Sequence, residues 1–332
     1  MKKIMAWTLG IALLFQLAGC GTAEKNEGSA ENTSGELNFP TRNIEFIVGS
    51  APGGGSDLLA RALTSAMDLS QPVVVVNRTG AGGTIATAEV MNAEPDGHTM
   101  LLGMVGPFET QPHLLDVQYT IEDFRYISAL TVEPLFLAVR SDSPWNSLQD
   151  MKNEFDASGG NTLKFGSSSQ GSMPHLAQEI LYQEMGISAE HIPFDGANPA
   201  VVALLGGHID ALSAHLGEIH SYVDSGELKI LGVYSPERVD LMPDVLTMKE
   251  QGYDLDMSGI KFVAVGKDVP DDIVAFLQQK IEEAKASETF QTFLESNYSL
   301  PSDATEEEIK EQLQRESDLY QEIIEELGLR QE

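Results

Sequence analysis

The sequence predicts an α/β protein in which strands and helices alternate along most of the chain. The 332 residues are enough for two domains with separate cores, and 42% of them are hydrophobic, as in ordinary globular proteins. Short apolar runs alternate with segments whose apolar residues recur at helical spacing, a pattern typical of parallel sheets. The same alternation starts again after Arg140. We therefore predict two α/β lobes.

The first lobe begins with a βαβ unit, and its spacing implies parallel strands. The predicted elements are strands at 44–48, 72–76, 98–104 and 134–139 and helices at 57–67 and 84–92. We expect the strand at 72–76 to be buried, because it is almost wholly valine.

The second lobe repeats this construction. Its predicted elements are a short helix ending at Phe155, strands at 163–166, 191–194, 209–214 and 229–234, and helices at 174–185 and 199–205. A strand at 261–265 then returns to the first lobe, before helices at 270–286, 288–296 and 305–327. We expect hinges at the two crossovers, near Val139 and Lys261. Lobe 1 then comprises 39–140 and 261–332, and lobe 2 comprises 141–260.

The N-terminus reads as a lipoprotein leader. Lys2 and Lys3 precede an apolar stretch at 4–15, and the residues LAGC at 17–20 resemble the bacterial lipobox, whose cysteine is lipidated. Cys20 is the only cysteine in the chain. The alternative is an ordinary signal peptide with an accidental cysteine. Residues 21–38 are polar and small, so we expect a flexible tether.

The charge of the chain restricts its partners. The formal net charge is −31, which argues against nucleic acid and against adhesion to anionic lipid. No apolar run beyond the leader approaches the roughly 20 residues that span a bilayer. We therefore expect contact with the membrane through the lipid anchor only. The acidity suits a protein outside the cell, although it is equally consistent with a role in solubility alone.

Three turns rich in glycine and serine precede predicted helices. They are PGGGSD at 52–57, NRTGAGGT at 77–84 and GSSSQGS at 166–172. The first amides of a helix lack internal partners, and a turn without bulky side chains lets an anion approach them. Two lobes joined by two crossovers form a cleft, and turns at the carboxyl ends of strands face it. The turns therefore predict a site for a small anionic ligand.

The candidate ligand-binding residues come from these turns and from positions near them. They are Gly54, Gly55, Ser56, Asn77, Gly80, Ala81, Gly82, Ser168, Ser169, Gly171, Ser172, His175, Asp195 and His215. Asn77 is expected to brace its loop, and Asp57 to cap the following helix. Arg78 is either a counter-charge for the ligand or part of a surface salt bridge. Nucleotide binding is disfavoured, because the turns lack both the P-loop and the full G-x-G-x-x-G spacing.

Catalysis and metal binding are the weaker alternatives. Ser172, His175 and Asp195 could form a hydrolase triad, but the chain has no G-x-S-x-G elbow around Ser172. The histidines show no H-E-x-x-H pattern, so no metal and no cofactor are expected. We expect His215 to end a strand and point into the cleft. The acidic C-terminal helix is predicted to expose its glutamates and to pack its apolar residues on lobe 1.

Several ordered motifs resemble the substrate-binding proteins of tripartite tricarboxylate transporters, also called the Bug family. Besides the turns at 52–57 and 77–84, the resemblance rests on FPTR at 39–42, PDGHT at 95–99, SPW at 143–145, GSMPHLA at 171–177, PFDGA at 193–197 and LLGGHID at 204–210. It covers the chain from about Phe39 to the C-terminus.

The resemblance implies a two-lobed periplasmic-binding-protein fold, type II-like, with two hinge crossovers. It also implies an extracytoplasmic, monomeric carrier that delivers a small organic carboxylate to membrane permease subunits, without catalysis. In that family, backbone amides, hydroxyls and ordered waters of both lobes hold the carboxyl groups, which carries over to 54–56, 80–82, 168–172 and the neighbourhood of Asp195. A ligand sensor for a surface signalling system shares this fold and remains an alternative.

Two positions depart from the family pattern. The chain has Ser258, Gly259, Ile260 and Lys261 where the family often has a tryptophan, and Asp195 where a basic residue is common. An acidic side chain there weakens the expectation of a second ligand carboxylate. A monocarboxylate, an amphoteric or a neutral ligand therefore stays open.

Overall fold

Ten strands form one mixed sheet in the computed structural model, which describes residues 37–159 and 161–330. The strands are β1 (Ile44–Val48), β2 (Val73–Asn77), β3 (Thr99–Met104), β4 (Phe124–Arg140), β5 (Leu163–Ser167), β6 (Ala189–Pro193), β7 (Ala211–His215), β8 (Leu228–Val233), β9 (Ser258–Gly266) and β10 (Leu300–Pro301). The predicted leader with Cys20, and the tether up to residue 36, lie outside the described residues.

Helices connect most of these strands. The α-helices are α1 (Gly55–Ala66), α2 (Thr84–Met91), α3 (Val105–Glu109), α4 (Gln111–Leu114), α5 (Leu148–Ser158), α6 (Met173–Met185), α7 (Ala197–Leu205), α8 (Leu216–Asp224), α9 (Asp271–Lys285), α10 (Glu288–Ser296) and α11 (Glu306–Glu326). Short 3₁₀ helices span Ala81–Gly83, Ile121–Asp123 and Lys249–Gln251. Within the described ranges, none of the helices has the length and apolar character needed to cross a bilayer.

The sheet contains two parallel groups of strands. The spatial order is β2-β1-β3-β9-β4-β7-β5-β6, and β8 and β10 each pair with β4. Strand β1 is parallel to β2 and β3, and β5 is parallel to β6 and β7. The predicted α/β fold is confirmed. Between the two groups run β9 and β4, which are antiparallel to each other.

Strand β4 belongs to both parts of the sheet. Its residues 124–134 pair with β9, and its residues 135–140 pair with β7 and β8. The strand predicted at 134–139 is therefore too short, since β4 begins at Phe124. Pro134 lies within the strand opposite Ser258. The chain therefore passes from one part of the sheet to the other without leaving the strand.

Alternating side chains of the strands pack into clusters on opposite faces. Phe46 and Val48 of β1 pack with α1, α9 and α10, whereas Ile47 packs with α2 and the first half of α11, because successive side chains of a strand point to opposite faces. Two further clusters cover the second part of the sheet. The strand β2 corrects a prediction: it lies at the edge of the sheet and is only half-buried.

The C-terminal helix α11 joins two clusters. Ile309 and Leu313 pack in the cluster of β1, β3 and β9, but Tyr320, Ile323 and Ile324 pack with residues of β5 and α6. The prediction that its apolar residues all pack on the first part of the chain is therefore wrong for its second half. Most of its glutamates are exposed, as predicted, but Glu306 is half-buried and Glu316 is buried.

Candidate functional site

Two cavities open where the two parts of the sheet meet. The larger has a volume of about 520 Å³ and the smaller of about 330 Å³. Val105, Met173, His215 and Glu218 line both of them. The cavities therefore adjoin and form one continuous region.

The smaller cavity brings together the second and third predicted turns. Gly82 lies on one side of it, and Ser168, Ser169 and Ser172 lie on the other. Ala197, the first residue of α7, completes the second side. Segments more than 80 residues apart in the sequence thus face the same space. His215 ends β7 and lines this cavity, as expected.

The first turn lines the larger cavity instead. Gly55 and Ser56 begin α1 there, and the Ser56 hydroxyl donates to Met104 Sδ at 3.2 Å. The helix begins at Gly55, two residues earlier than predicted, so Gly54 is the N-cap and the prediction that Asp57 is the N-cap is wrong. Asp57 instead lies in the first turn, where its Oδ2 accepts from the Gly53 amide at 2.8 Å.

Helix N-termini surround both cavities without capping side chains. In the part of the chain that the structure describes, four helices begin with an N-cap residue whose side chain makes no hydrogen bond to the first amides of the helix. These helices are α1, α2, α6 and α7. The residues at these N-caps are Gly54, Gly83, Ser172 and Gly196. Such amides carry partial positive charge and bind anions. The arrangement therefore favours a carboxylate held by the backbone.

The conformation of Gly82 favours glycine. Its φ is +63°, in the left-handed region that side chains rarely adopt. A Cβ there would lie 2.6 Å from Gln111 Cδ, so a larger residue would also have to displace the Gln111 side chain. The backbone of the second turn is therefore fixed next to the smaller cavity.

The serine-rich turn is held by a network beneath it. The carbonyl of Ser169 accepts hydrogen bonds from Ser172 Oγ at 2.7 Å and from Ser167 Oγ at 2.8 Å. His191 Nε2 lies 2.7 Å from Ser167 Oγ, and since that hydroxyl donates to Ser169, the imidazole is the donor. The turn is therefore ordered by its own hydroxyls and by β6.

His175 supports the turn from below and does not line either cavity. It is 2% exposed, its Nδ1 accepts from the Gly171 amide at 3.0 Å, and its ring stacks on His191 with centroids 3.6 Å apart. Its Nε2 is 3.3 Å from Glu179 Oε1. Both ring nitrogens therefore have partners other than Ser172, and the arrangement is not that of a nucleophile and its base.

The first turn has its own support. Arg61 donates to both oxygens of Asp57, at 3.0 and 2.9 Å. Asn77 Nδ2 donates to Ser50 O at 2.9 Å and to Asp57 Oδ1 at 3.0 Å, so it braces the first turn and not its own loop as predicted. Arg78 forms a surface ion pair with Glu89 at 2.9 Å, so the salt-bridge alternative describes it.

Several predicted residues lie beside the cavities without lining them. Gly54, Gly80, Ala81 and Gly171 each precede a lining residue by one or two positions. Asp195 is exposed and lies two residues before Ala197.

Glu133 was not predicted from the sequence as a residue of the site, and Lys261 was predicted only as part of a crossover. Both line the larger cavity, and Lys261 Nζ is 2.5 Å from Glu133 Oε1. Burial opposes the negative charge of Glu133, but Lys261 and then His215 hold the pKa of its carboxyl below the ordinary value. A signal was present, since Lys261 is the one charged residue in the apolar run KFVAV.

Lys261 is also distinctive in its charge. Among the described residues that line either cavity, it is the only lysine or arginine. Nor does the described part of the chain contain a group of three or more acidic, histidine or cysteine side chains arranged to hold a metal ion. The chemistry of the site thus depends on backbone amides, hydroxyls and one ion pair.

Comparison with known proteins gives consistent matches. The model of the tripartite tricarboxylate transporter family receptor matches residues 59–329. A UPF0065 protein of Bordetella pertussis is 32% identical over 299 residues, which cover 88% of this chain and 91% of the relative. The protein BugT of the same organism is 33% identical over 255 residues, which cover 75% of this chain and 78% of the relative.

Solved structures agree with these matches. A TctC solute-binding protein from Polaromonas superposes with a TM-score of 0.78 at 32% identity, covering 87% of this chain and 99% of that one. MatC from Rhodopseudomonas palustris, solved with bound malate, superposes with a TM-score of 0.70 at 26% identity, covering 86% and 100%. The periplasmic-binding-protein fold expected from the sequence is thus confirmed.

Proposed function

Because the chain belongs to the family of tripartite tricarboxylate transporter receptors, which are solute-binding proteins outside the cytoplasm, we propose that it captures a small organic carboxylate for a transporter of this kind. The role is binding and not catalysis, in keeping with its relatives. The partners in this proposal are the permease subunits of the transporter.

One observation carries the proposal: Gly82 and the serines of the third turn face the same 330 Å³ cavity. The helices α2, α6 and α7 begin at or next to this space, and the first amides of each lack a capping side chain. A carboxylate accepts hydrogen bonds from such amides and from hydroxyls. MatC, which has bound malate, supports a carboxylate as the ligand class.

We further propose that residues 39–140 with 261–332 form one lobe and residues 141–260 the other. The strands β4 and β9 would then carry the hinges, because both run between the two parallel groups. A ligand bound by Gly82 on one side and Ser172 on the other favours the closed state, since it gains both sets of contacts only there.

The anchor is part of the proposal. Cys20 in the sequence LAGC would carry the lipid and hold the protein, as a monomer, on the outer face of the cell membrane. Replacing Cys20 with alanine tests this, because incorporation of a labelled fatty acid into the protein should be lost. Equal labelling of Cys20→Ala and the wild type would contradict lipid anchoring at Cys20.

The proposed ligand class is tested by thermal shift. Mono-, di- and tricarboxylates and amino acids are added to the purified protein, and a ligand that binds only the native state raises its melting temperature. We expect at least one carboxylate to do so. If none does, the carboxylate proposal is wrong.

A matched pair of variants ties the ligand to the turn. Ser172→Ala removes a hydroxyl that lines the smaller cavity and supports the turn by donating to Ser169 O, and it should weaken binding of the stabilising carboxylate by about 1–3 kcal/mol. Ser65→Ala is the control, because Ser65 is exposed on α1 and does not line either cavity. Equal affinities of the two variants would place the ligand elsewhere.

A further inference from the structure

Of the three anion-binding turns, only the first reaches the larger cavity, at Gly55 and Ser56, and much of the remaining wall is apolar. Leu59, Phe136, Phe293 and Leu300 form much of its wall, and its volume of about 520 Å³ exceeds the 330 Å³ of the smaller cavity. We propose that the solute is a monocarboxylate with an apolar body, and that this body occupies the larger cavity. The proposal rests on the proposed function, because the turns must hold the carboxylate.

The wall offers uncovered apolar surface to such a body. Phe293 and Leu300 are only half-buried, and Leu241, also on the wall, is 44% exposed. The ring of His220 packs against Tyr298, with centroids 3.8 Å apart and the planes tilted by 31°, and both residues line the cavity. An apolar chain placed there removes surface from water on both partners.

The charges of the walls disfavour a second carboxylate. Glu133 and Glu218 supply two negative charges, and Lys261 supplies the one positive charge. That positive charge is already paired, because Lys261 Nζ lies 2.5 Å from Glu133 Oε1. The remaining titratable side chains on the walls are His215, His220 and Tyr298, and among the described residues His220 Nδ1 is buried without a hydrogen-bond partner.

A second carboxylate would therefore enter a wall with an excess of one negative charge. It would have to compete with Glu133 for Lys261, and the displaced carboxyl would lose its partner in a site where both side chains are less than one-fifth exposed. Breaking such a pair is costly, since a buried charge is left uncompensated. The ion pair thus acts as a selectivity element against dicarboxylates.

The first test compares hexanoate with adipate by titration calorimetry. The two probes have the same number of carbons and differ by one terminal carboxylate. We expect hexanoate to bind at least tenfold more tightly than adipate. In the series from butyrate to octanoate, affinity should rise about fourfold per methylene, the factor for burying one such group. Tighter binding of adipate, or an affinity independent of chain length, would overturn the proposal.

The second test removes the ion-pair partner of Lys261. Glu133→Gln removes the partner's charge while keeping its size, so Lys261 becomes available to a distal carboxylate. The ratio of adipate to hexanoate affinity should rise at least tenfold. The control is the double variant Glu133→Gln with Lys261→Met, in which the ratio should return toward that of the wild type. An unchanged ratio in Glu133→Gln would contradict the proposed role of the ion pair.

A third comparison tests the apolar wall without disturbing the core. Leu241→Ser should weaken octanoate binding several-fold and leave butyrate binding unchanged. Leu246→Ser is the control, because Leu246 is similarly exposed, at 38%, and is not among the lining residues. Equal octanoate affinity of the two variants would argue against an apolar body at this wall.

These outcomes separate the two proposals. If butyrate and succinate bind equally well and lengthening the chain adds nothing, the carboxylate function stands and the apolar-body proposal fails. If neither hexanoate, adipate, succinate nor citrate binds, both proposals fail.

Discussion

The amide of Gly171 donates a hydrogen bond to Nδ1 of His175 at 3.0 Å, which ties the serine-rich turn to the first turn of α6. Because Nδ1 accepts, the ring proton is on Nε2 and points to Glu179 Oε1 at 3.3 Å. His175 is therefore a positioning residue: it holds the backbone that lines the smaller cavity and makes no contact with that cavity itself.

His175→Leu tests this role. The change leaves the Gly171 amide without its buried acceptor, which costs about 1–3 kcal/mol. We expect both the free energy of unfolding and the affinity for the stabilising carboxylate to fall. Denaturant unfolding and calorimetry measure the two quantities. Glu179→Gln is the matched control, because an amide oxygen still accepts from Nε2, and an equal loss in this control would contradict the role given to Gly171 and His175.

His191 predicts how stability falls in acid. Burial and the adjacent His175 lower its pKa to about 3, so the folded protein keeps this ring neutral. The stabilising contribution is complete above the unfolded value near 6.5 and is lost as the pH falls from there toward 3. In His191→Gln this part of the pH dependence of unfolding should flatten. A profile identical to the wild type between pH 6.5 and 4 would contradict the assignment.

The buried carboxyl of Glu316 should give the opposite pH dependence, in which stability falls as the pH rises. It is 1% exposed on α11, and Glu109 of α3 is wholly buried. Burial, followed by Asp256, raises the pKa of Glu316 to about 8, and burial and Glu316 raise the pKa of Glu109. The groups around the pair are Arg315, Gln312 and Tyr320.

The pKa values of these carboxyls are higher in the folded state than in the unfolded state. Their contribution to the free energy of unfolding is therefore complete below about pH 4.5 and is lost as the pH rises through 8. Glu109→Gln removes a buried carboxyl that folding keeps protonated at a pH where the unfolded chain ionises it. The variant should be more stable than the wild type at pH 8, and the difference should shrink toward pH 4.5. Urea unfolding across this range measures the difference in stability. A wild type that is more stable than Glu109→Gln at pH 8 would contradict the prediction.

Asp57 anchors the first turn as an ionised group. The hydrogen bond from Arg61 outweighs burial and, with those from Gly53 and Asn77, lowers the pKa of Asp57 to about 2. Its stabilising contribution is complete above the unfolded value near 3.8 and is lost as the pH falls toward 2. Asp57→Asn should lower the midpoint of urea unfolding at pH 7. Asp68→Asn, at an exposed position, should leave the midpoint unchanged, and the idea fails if both variants behave alike.

The sequence was sufficient for features that arise locally. The βαβ unit follows from apolar runs and short connections. The turns are recognisable from their glycine content, because a positive φ such as that of Gly82 favours glycine. By contrast, Glu133 and Lys261 are 128 residues apart and become neighbours only through the pairing of β4 with β9. No local pattern encodes such a contact.

The same reasoning applies to two further features of the chain. Ser172 and His175 are three positions apart, a spacing compatible with a catalytic pair or with support of a turn, and only the observed contacts to Gly171 and Glu179 distinguish these. The predicted strand began at Pro134, whereas β4 begins at Phe124, because its first half is formed by pairing with β9, which is distant in sequence.

The most direct test of the account is a crystal structure of the protein with hexanoate bound. The account predicts that the carboxylate oxygens accept hydrogen bonds from the turns at 80–84 and 167–172, that the alkyl chain lies in the larger cavity, and that Lys261 stays paired with Glu133. A carboxylate bound directly to Lys261, with the ion pair broken and the serine-rich turn unoccupied, would contradict it.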